Sequence, residues 1–339
     1  MRCAIIGGTG HYHYFLEALR LRGNTDELAA YAPGTPGEDI VSLEKSLLPL
    51  KKQSEADSKF APKAYDSWRA MLDKEKPELV VVNPWYKDIS DITIEALDRG
   101  HAVFAEKPLA VDWEQWDAMR SAARRNDRVC AMFGLRGEPA FQAARAAASR
   151  IGDIRLMHAQ KSYKLGTRGP VYLRRKDYGG IFPWVGIHAL DWIRWISGKE
   201  YMSVFGAQCC KGNVISTELE ISAAALFTME DDTIATISAD FLRPAAAARH
   251  DDDQLRITGT KGTLFVRGGE AFLELSDKPI TRLPLPNRES LCADFMAQLD
   301  GGKACGLTVW DALNVTAAAL AAREAADDHT PVAVPIIKK

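Results

Sequence analysis

The sequence predicts an α/β chain: an N-terminal doubly wound parallel sheet, then a C-terminal α+β region built on a mostly antiparallel open sheet. Three observations predict it. Short apolar runs alternate with helical patterns through the first third, glycines follow directly on the first run, and beyond residue 220 strand-like runs succeed one another without helices between them. At 339 residues the chain is too long for one typical core. The change of character divides it into domains 1–128 and 129–339, with the terminal helices allowed to pack back on the first.

Residues 3–6 form a short apolar run that stops at Gly7-Gly8-Thr9-Gly10, and 14–21 then carries Phe15, Ala18 and Leu19 at helical spacing. A second strand fits 27–32. The Leu-Val-Val-Val run at 79–82 is apolar at every position, as in a parallel strand covered on both faces. A helix at 89–99 is ended by Gly100, a strand at 101–105 reaches Glu106-Lys107-Pro108, and a helix at 112–125 leads to a strand at 129–133. Repeats of this kind imply right-handed crossovers with ligands beyond the carboxyl ends of the strands. The glycine turn and Glu106-Lys107-Pro108 both fall at such ends. Later, 221–227 and 233–241 flank Glu230-Asp231-Asp232 as a hairpin, 254–257, 263–266 and 271–275 continue the strands, and 291–299 and 309–326 read as helices.

Composition narrows the function classes. With 47% hydrophobic and 26% charged residues the chain can bury a core. A net charge of −2 without a long single-sign block gives neither nucleic acid nor membrane a footprint, which leaves a small-molecule partner. The six cysteines lack C-x-x-C spacing, so they read as buried free thiols rather than a zinc or redox centre. His11 and His13 flank the glycine turn, but no third ligand is placed, so no metal is expected. No secretory signal or run of about 20 apolar residues occurs, and a cytoplasmic location is expected.

Glycines after a first strand let the backbone approach a pyrophosphate at a helix N-terminus. Here the pattern is partial: the G-x-G-x-x-G frame puts Thr9 and Tyr12 where glycines belong, and the G-x-x-G-x-x-G frame ends on His13. A dinucleotide turn of Gly7, Gly8, Thr9 and Gly10, lined by His11, stands against a turn that binds nothing. An acid about 20 positions on, which would hold the adenosine ribose, is missing from the strand tip Tyr31-Ala32-Pro33-Gly34; Glu38 and Asp39 read as loop charges. The choice between NAD and NADP is thereby left open.

Glu106-Lys107-Pro108 at a strand end, Gly179-Gly180, and His188-Ala189-Leu190-Asp191 opening a tryptophan-rich helix together resemble the Gfo/Idh/MocA family (glucose-fructose oxidoreductase, inositol dehydrogenase, rhizopine catabolism). The likeness extends to Gly259-Thr260-Lys261-Gly262-Thr263 and Asp294-Phe295. It implies a Rossmann domain with a nicotinamide dinucleotide, a sugar-like or polyol substrate on the second domain, and hydride transfer between them. Lys107 matches the family's lysine at the reacting hydroxyl and nicotinamide, and His188 its acid/base histidine; Asn83, Pro84 and Glu106 are expected along the nicotinamide side. Histidine titrates near neutral pH and lysine stabilises alkoxide charge, which suits alcohol oxidation.

One position departs from the family: its aspartate four residues before the histidine is Trp184 here, and an indole accepts no proton. Asp191, one turn beyond His188, either orients the imidazole or caps the helix. Trp192 and Trp195 read as core packing. The cluster at 161–178, including Tyr163, Lys164 and Arg168, reads first as solvated surface and second as a contact for an acidic or phosphorylated sugar. Tyr163, Lys164, Arg168, Trp184 and Asp191 are the substrate-side candidates. Apolar residues in both alternating sets at 221–227 suggest a homodimer or homotetramer. The rival to an enzyme is a non-catalytic or regulatory relative with eroded motifs; a third possibility is an enzyme that oxidises its substrate only transiently.

Overall fold

In the computed structural model, which describes residues 1–53 and 61–337, the chain forms two compact units, Met1–Gly134 with Ser290–Ala312, and Leu135–Glu289 with the residues from Leu313 onward. The first unit passes residue 128 because a sixth strand completes its sheet. Its strands are β1 (Arg2–Ile6), β2 (Glu27–Ala32), β3 (Lys63–Ala64), β4 (Leu79–Val82), β5 (Ala102–Ala105) and β6 (Val129–Ala131). They run in the order β3-β2-β1-β4-β5-β6 with every pairing parallel. Every residue of β4 and β5 is buried, as expected when helices cover both faces of a parallel sheet. The chain winds outward one way from β1 and the other way from β4, so the ligand crevice of this topology opens at their carboxyl ends.

The helices of this unit are α1 (His13–Arg22), α2 (Val41–Gln53), α3 (Trp68–Glu75), α4 (Ile89–Asp98) and α5 (Trp113–Arg125). Asp112 caps α5, its carboxylate accepting from the Gln115 N–H at 2.8 Å, so that helix begins where the sequence places its signal. The sequence reading does not include α2, β3 or α3: α2 carries Pro49, β3 has two residues, and α3 has eight.

The second unit holds α6 (Pro139–Ala147), β7 (Ile154–Tyr163), the short α7 (Arg175–Tyr178), α8 (Ile187–Ser197), β8 (Tyr201–Cys209), β9 (Ser222–Met229), β10 (Ile234–Asp240), β11 (Asp251–Gly259), β12 (Gly262–Arg267), β13 (Glu270–Leu275) and β14 (Lys278–Arg282). After α9 (Leu291–Leu299), assigned to the first unit, come α10 (Val309–Asp328) and β15 (Val332–Ala333). The nine-stranded sheet runs β14-β13-β12-β11-β7-β10-β9-β8-β15, antiparallel apart from the β7–β10 pair. One register row, Gly206, Ala225, Ile237, Ala159, Leu255 and Val266, is buried on the face covered by α6 and α8. The other face exposes Leu156, Phe205, Leu226 and Ile234. The predicted hairpin turn forms, with Asp231 and Asp232 at φ 58° and 56°, a conformation that short polar side chains tolerate.

Cys3, Cys130, Cys292 and Cys305 are buried free thiols, but Cys209 is exposed and Cys210 half-buried, because they end β8 and enter a turn. No described helix is long and apolar enough to cross a membrane.

Candidate active-site residues

The glycine turn is built by close approach. Gly7 leaves β1 at φ 82°, and a Cβ there would overlap the Asn83 carbonyl at the end of β4; Gly10 has φ 78°, and a Cβ there would overlap the Glu106 carboxylate. The Thr9 N–H donates to the Asn83 carbonyl (2.8 Å), and Asn83 Nδ2 returns to the Thr9 carbonyl (3.0 Å). Asn83 Oδ1 is buried and has no hydrogen-bond partner among the described residues. Tyr12 precedes α1 without a side-chain cap, and the first turn holds no acid, so this helix end retains its preference for an anion. Tyr14, in the first turn of α1, packs over Gly134, where any Cβ would meet its ring.

Glu38 is not a loop charge. Its Oε1 accepts from the Gly8 N–H (2.9 Å) and the Thr9 hydroxyl (2.8 Å), and its Oε2 from the Gly34 and Thr35 N–H groups (3.0 and 3.2 Å). A carboxylate thus ties the glycine turn to the loop after β2, on the side where this topology holds the adenosine ribose. The sequence signal is present but displaced, because Pro33-Gly34-Thr35-Pro36-Gly37 intervenes between the strand tip and the acid.

At the end of β5, Glu106 is fully buried and receives the His11 N–H at 2.6 Å, with His11 Nδ1 at 2.9 Å. Burial pushes this carboxyl up; the charge of His11, its hydrogen bonds and the charge of Lys107 more than reverse that and hold it below the usual range. Lys107 is buried beside it, Nζ 4.0 Å from Glu106 Oε1. Pro84 adjoins the same turn, its Cβ against Gly34. Gly7, Gly8, Thr9, Gly10, His11, Asn83, Pro84, Glu106 and Lys107 are thereby gathered at the carboxyl ends of β1, β4 and β5. The glycine cradle, the uncapped helix end and the unpaired Asn83 oxygen fit a dinucleotide. Among the described residues no group of three His, Cys, Asp or Glu side chains is placed to hold a metal ion.

In the second unit a π-helical turn, Phe182–Gly186, leads into α8. His188 is buried in its first turn, its ring 6.5 Å from that of Trp192, which is fully buried and stacks on Phe141 at 4.1 Å. Asp191 neither orients His188 nor caps α8. It lies beyond the first turn, and both its oxygens take hydrogen bonds from Arg136 (Nε to Oδ2 2.8 Å, Nη2 to Oδ1 2.5 Å), a pair buried on both sides. Arg136 belongs to Gly134-Leu135-Arg136-Gly137, a stretch with no recognisable motif, and the sequence reading does not include it.

Trp184 is buried among Tyr172 (4.2 Å), Tyr178 (5.8 Å) and Phe241 (5.3 Å), with the Arg168 guanidinium 5.3 Å over its ring. Tyr163 stacks on Phe241 and lies 5.1 Å from His250. Lys164 Nζ donates to the Ala247 carbonyl, and Arg168 to the Lys164 carbonyl. The 161–178 segment is solvated only in part: Arg174 and Lys176 are exposed, but Lys161 and Asp177 are buried. Arg174 pairs with the buried Asp177, Arg175 with Glu220 and Asp327, and Lys161, on the inner face of β7, with Asp253 at 2.6 Å. Burial lowers Lys161 and raises Asp253, each against the attraction of the other. Carboxylate partners thus neutralise Lys161, Arg174 and Arg175, whereas Lys164 and Arg168 donate to backbone carbonyls.

Comparison with known proteins agrees with this architecture. The family model "Oxidoreductase family, NAD-binding Rossmann fold" matches residues 1–133, and the "GFO/IDH/MocA C-terminal domain" matches 141–265. An oxidoreductase structure from Thermotoga maritima is 38% identical with a TM-score of 0.92, over 98% of this chain and 100% of that one. The scyllo-inositol 2-dehydrogenase (NAD(+)) of Bacillus subtilis is 24% identical over 269 residues, 78% of this chain and 73% of its own. Levoglucosan dehydrogenase, solved with NADH and levoglucosan, shares the fold at 18% identity and a TM-score of 0.79, over 99% of this chain and 100% of that one. Two units with these two folds, a glycine turn after β1 and a buried Glu106–Lys107 pair after β5 make this chain a member of the Gfo/Idh/MocA family of NAD-binding oxidoreductases.

Proposed function

We propose that the chain is an NAD-dependent dehydrogenase that interconverts a CH–OH group and a carbonyl on a neutral sugar or polyol. The observation that carries it is the turn at 7–11 with Glu38 across its donors. A carboxylate beside the loop after β2 repels a 2′-phosphate, which favours NAD over NADP. Names among the relatives, an inositol dehydrogenase and a levoglucosan dehydrogenase, support the substrate class.

Bound nicotinamide supplies the acceptor for the hydride. The remaining work falls to this chain's own groups: His188 takes the hydroxyl proton as the C–H bond breaks, and the Lys107 ammonium stabilises the charge developing on that oxygen. With Trp184 in the aspartate's place, His188 is the proton acceptor without a carboxylate to share the task. Pairing of Lys161, Arg174 and Arg175 with carboxylates of the same chain takes those three cations away from an acidic substrate. The exposed apolar side chains Leu156, Phe205, Leu226 and Ile234 support assembly as a homodimer or homotetramer through the outer face of the sheet.

Steady-state assays with NAD and a panel of cyclitols and sugars test the reading, with Lys107→Ala and His188→Ala expected to lose about 10²–10⁴-fold in kcat/KM. NADH binding without turnover of any panel member would instead favour a sensor, the reading that Trp184 supports.

A further inference from the structure

The turn at 7–11 commits most of its backbone donors within the chain. The Gly7 N–H donates to the Ala32 carbonyl (2.8 Å), the Gly8 N–H to Glu38 (2.9 Å), the Thr9 N–H to the Asn83 carbonyl (2.8 Å) and the His11 N–H to Glu106 (2.6 Å). Glu38 and Glu106 thereby bring negative charge to a turn that is to hold a dianionic pyrophosphate. No lysine or arginine occurs between Gly7 and Leu19, where His11 and His13 are the basic residues. The ammonium of Lys107 lies 4.0 Å from Glu106, with both groups buried, and the end of α1 adds only a partial positive charge. A full counter-charge from the turn itself therefore requires a protonated imidazole.

Of the two histidines, His11 is the one fixed in place. Its Nδ1 is 2.9 Å from Glu106 Oε2 and 3.0 Å from Oε1, its ring stacks on Tyr14 with centroids 5.3 Å apart, and its side chain remains 25% exposed. The carboxylate that holds the ring is itself held, accepting from the Lys107 N–H at 3.0 Å and from Asn83 Nδ2 at 3.4 Å. Glu106 and Lys107 at the end of β5 and His13 and Tyr14 on α1 are the titratable groups around the imidazole; Glu38 acts on the same turn through Gly8 and Thr9. His13 is exposed, its ring 5.6 Å from that of His11.

We propose that the His11 imidazolium, positioned by Glu106, is the counter-cation for the pyrophosphate of the bound dinucleotide, so that the chain takes up a proton from solvent as it binds; the proposal rests on the dinucleotide-binding reading above. With the imidazole neutral, the carboxylates of Glu38 and Glu106 outweigh the ammonium of Lys107, and with it protonated the charges balance. An arriving dianion favours the balanced state. The complex therefore binds more protons than the free chain, and affinity falls as pH rises through the range in which imidazole titrates.

The test follows NADH binding to the intact protein by fluorescence from about pH 6 to about pH 8, an interval in which NADH itself does not titrate. Calorimetry in buffers of different ionisation enthalpy reads the protons taken up. Wild type is expected to bind about tenfold more weakly at the upper end, the scale of one charge-assisted hydrogen bond, and to take up protons on binding. His11→Gln keeps a polar side chain without the charge; it is expected to bind across the interval as wild type does at its upper end, with no proton uptake. His11→Lys, whose charge is fixed, is expected to bind more tightly than His11→Gln throughout, and His13→Gln to keep the wild-type profile; thermal melts check that each variant folds. Wild-type affinity that stays level across the interval, or a pH dependence that survives His11→Gln, overturns this proposal and leaves the dinucleotide reading standing. Absence of NADH binding at every pH overturns that reading along with it.

Discussion

Glu38 makes the glycine turn depend on one carboxylate, and Glu38→Gln isolates that dependence. Each carboxylate oxygen accepts from two donors: Gly8 N–H and Thr9 hydroxyl on one, Gly34 and Thr35 N–H on the other. An amide keeps one acceptor oxygen; with its NH₂ turned toward Gly8 and Thr9 the Thr9 hydroxyl can rotate to accept, but the Gly8 N–H is left facing a donor, and the remaining bonds lose their charge. Hydrogen bonds to a charged group contribute about 1.5–3 kcal/mol each, but these share one group. A loss of about 2–4 kcal/mol is therefore expected, or a fall in Tm of roughly 5–15 °C. Glutamine should then be nearly as damaging as alanine, although it matches glutamate in size. Fluorescence titrations carry the functional half: NADH affinity should fall, and the NADH-to-NADPH preference should move toward NADPH by about tenfold as the charge opposing a 2′-phosphate disappears, about 1.4 kcal/mol. A Glu38→Gln protein that melts with the wild type, or holds the wild-type cofactor ratio, would refute this account of the turn.

Asp191→Asn should cost about 3–5 kcal/mol in chemical denaturation, because it leaves the buried Arg136 guanidinium without its counter-charge; a loss below about 1 kcal/mol would show that the pair does not hold α8. His101 is lowered from its ordinary value by burial, against an opposing hydrogen bond to the Pro77 carbonyl. The unfolded chain therefore binds this proton more readily, and the stability His101 contributes is complete above its unfolded value of 6.5 and declines as pH falls through the folded one. Denaturation midpoints of wild type and His101→Gln should diverge below that pH, with the wild type losing more, and parallel curves would contradict the assignment.

Much of the first unit is legible in the sequence because parallel strands covered on both faces leave unbroken apolar runs, as 79–82 does, and because Asp112 and Gly100 mark helix ends with their own chemistry. The second sheet is legible only where alternation is strong. β7 is not, since Lys161 occupies an inward position that pattern reading expects to be apolar, and its burial depends on Asp253, about 90 residues away along the chain. Asp191 illustrates the same limit: spacing places it one turn from His188, but its partner Arg136 comes from another segment. Glu38 reads as a loop charge in the sequence because the fold places an acid by position in space, and an insertion of glycines and prolines moves its position in sequence.

Whether the turn at 7–11 holds a nicotinamide dinucleotide is read by titrating the intact protein with NADH and with NADPH and following nicotinamide fluorescence. A saturable change with NADH, weaker with NADPH and lost on Gly10→Leu, whose side chain would collide with Glu106, is the predicted result. No saturable change with either nucleotide, or NADH binding that Gly10→Leu leaves intact, would contradict it.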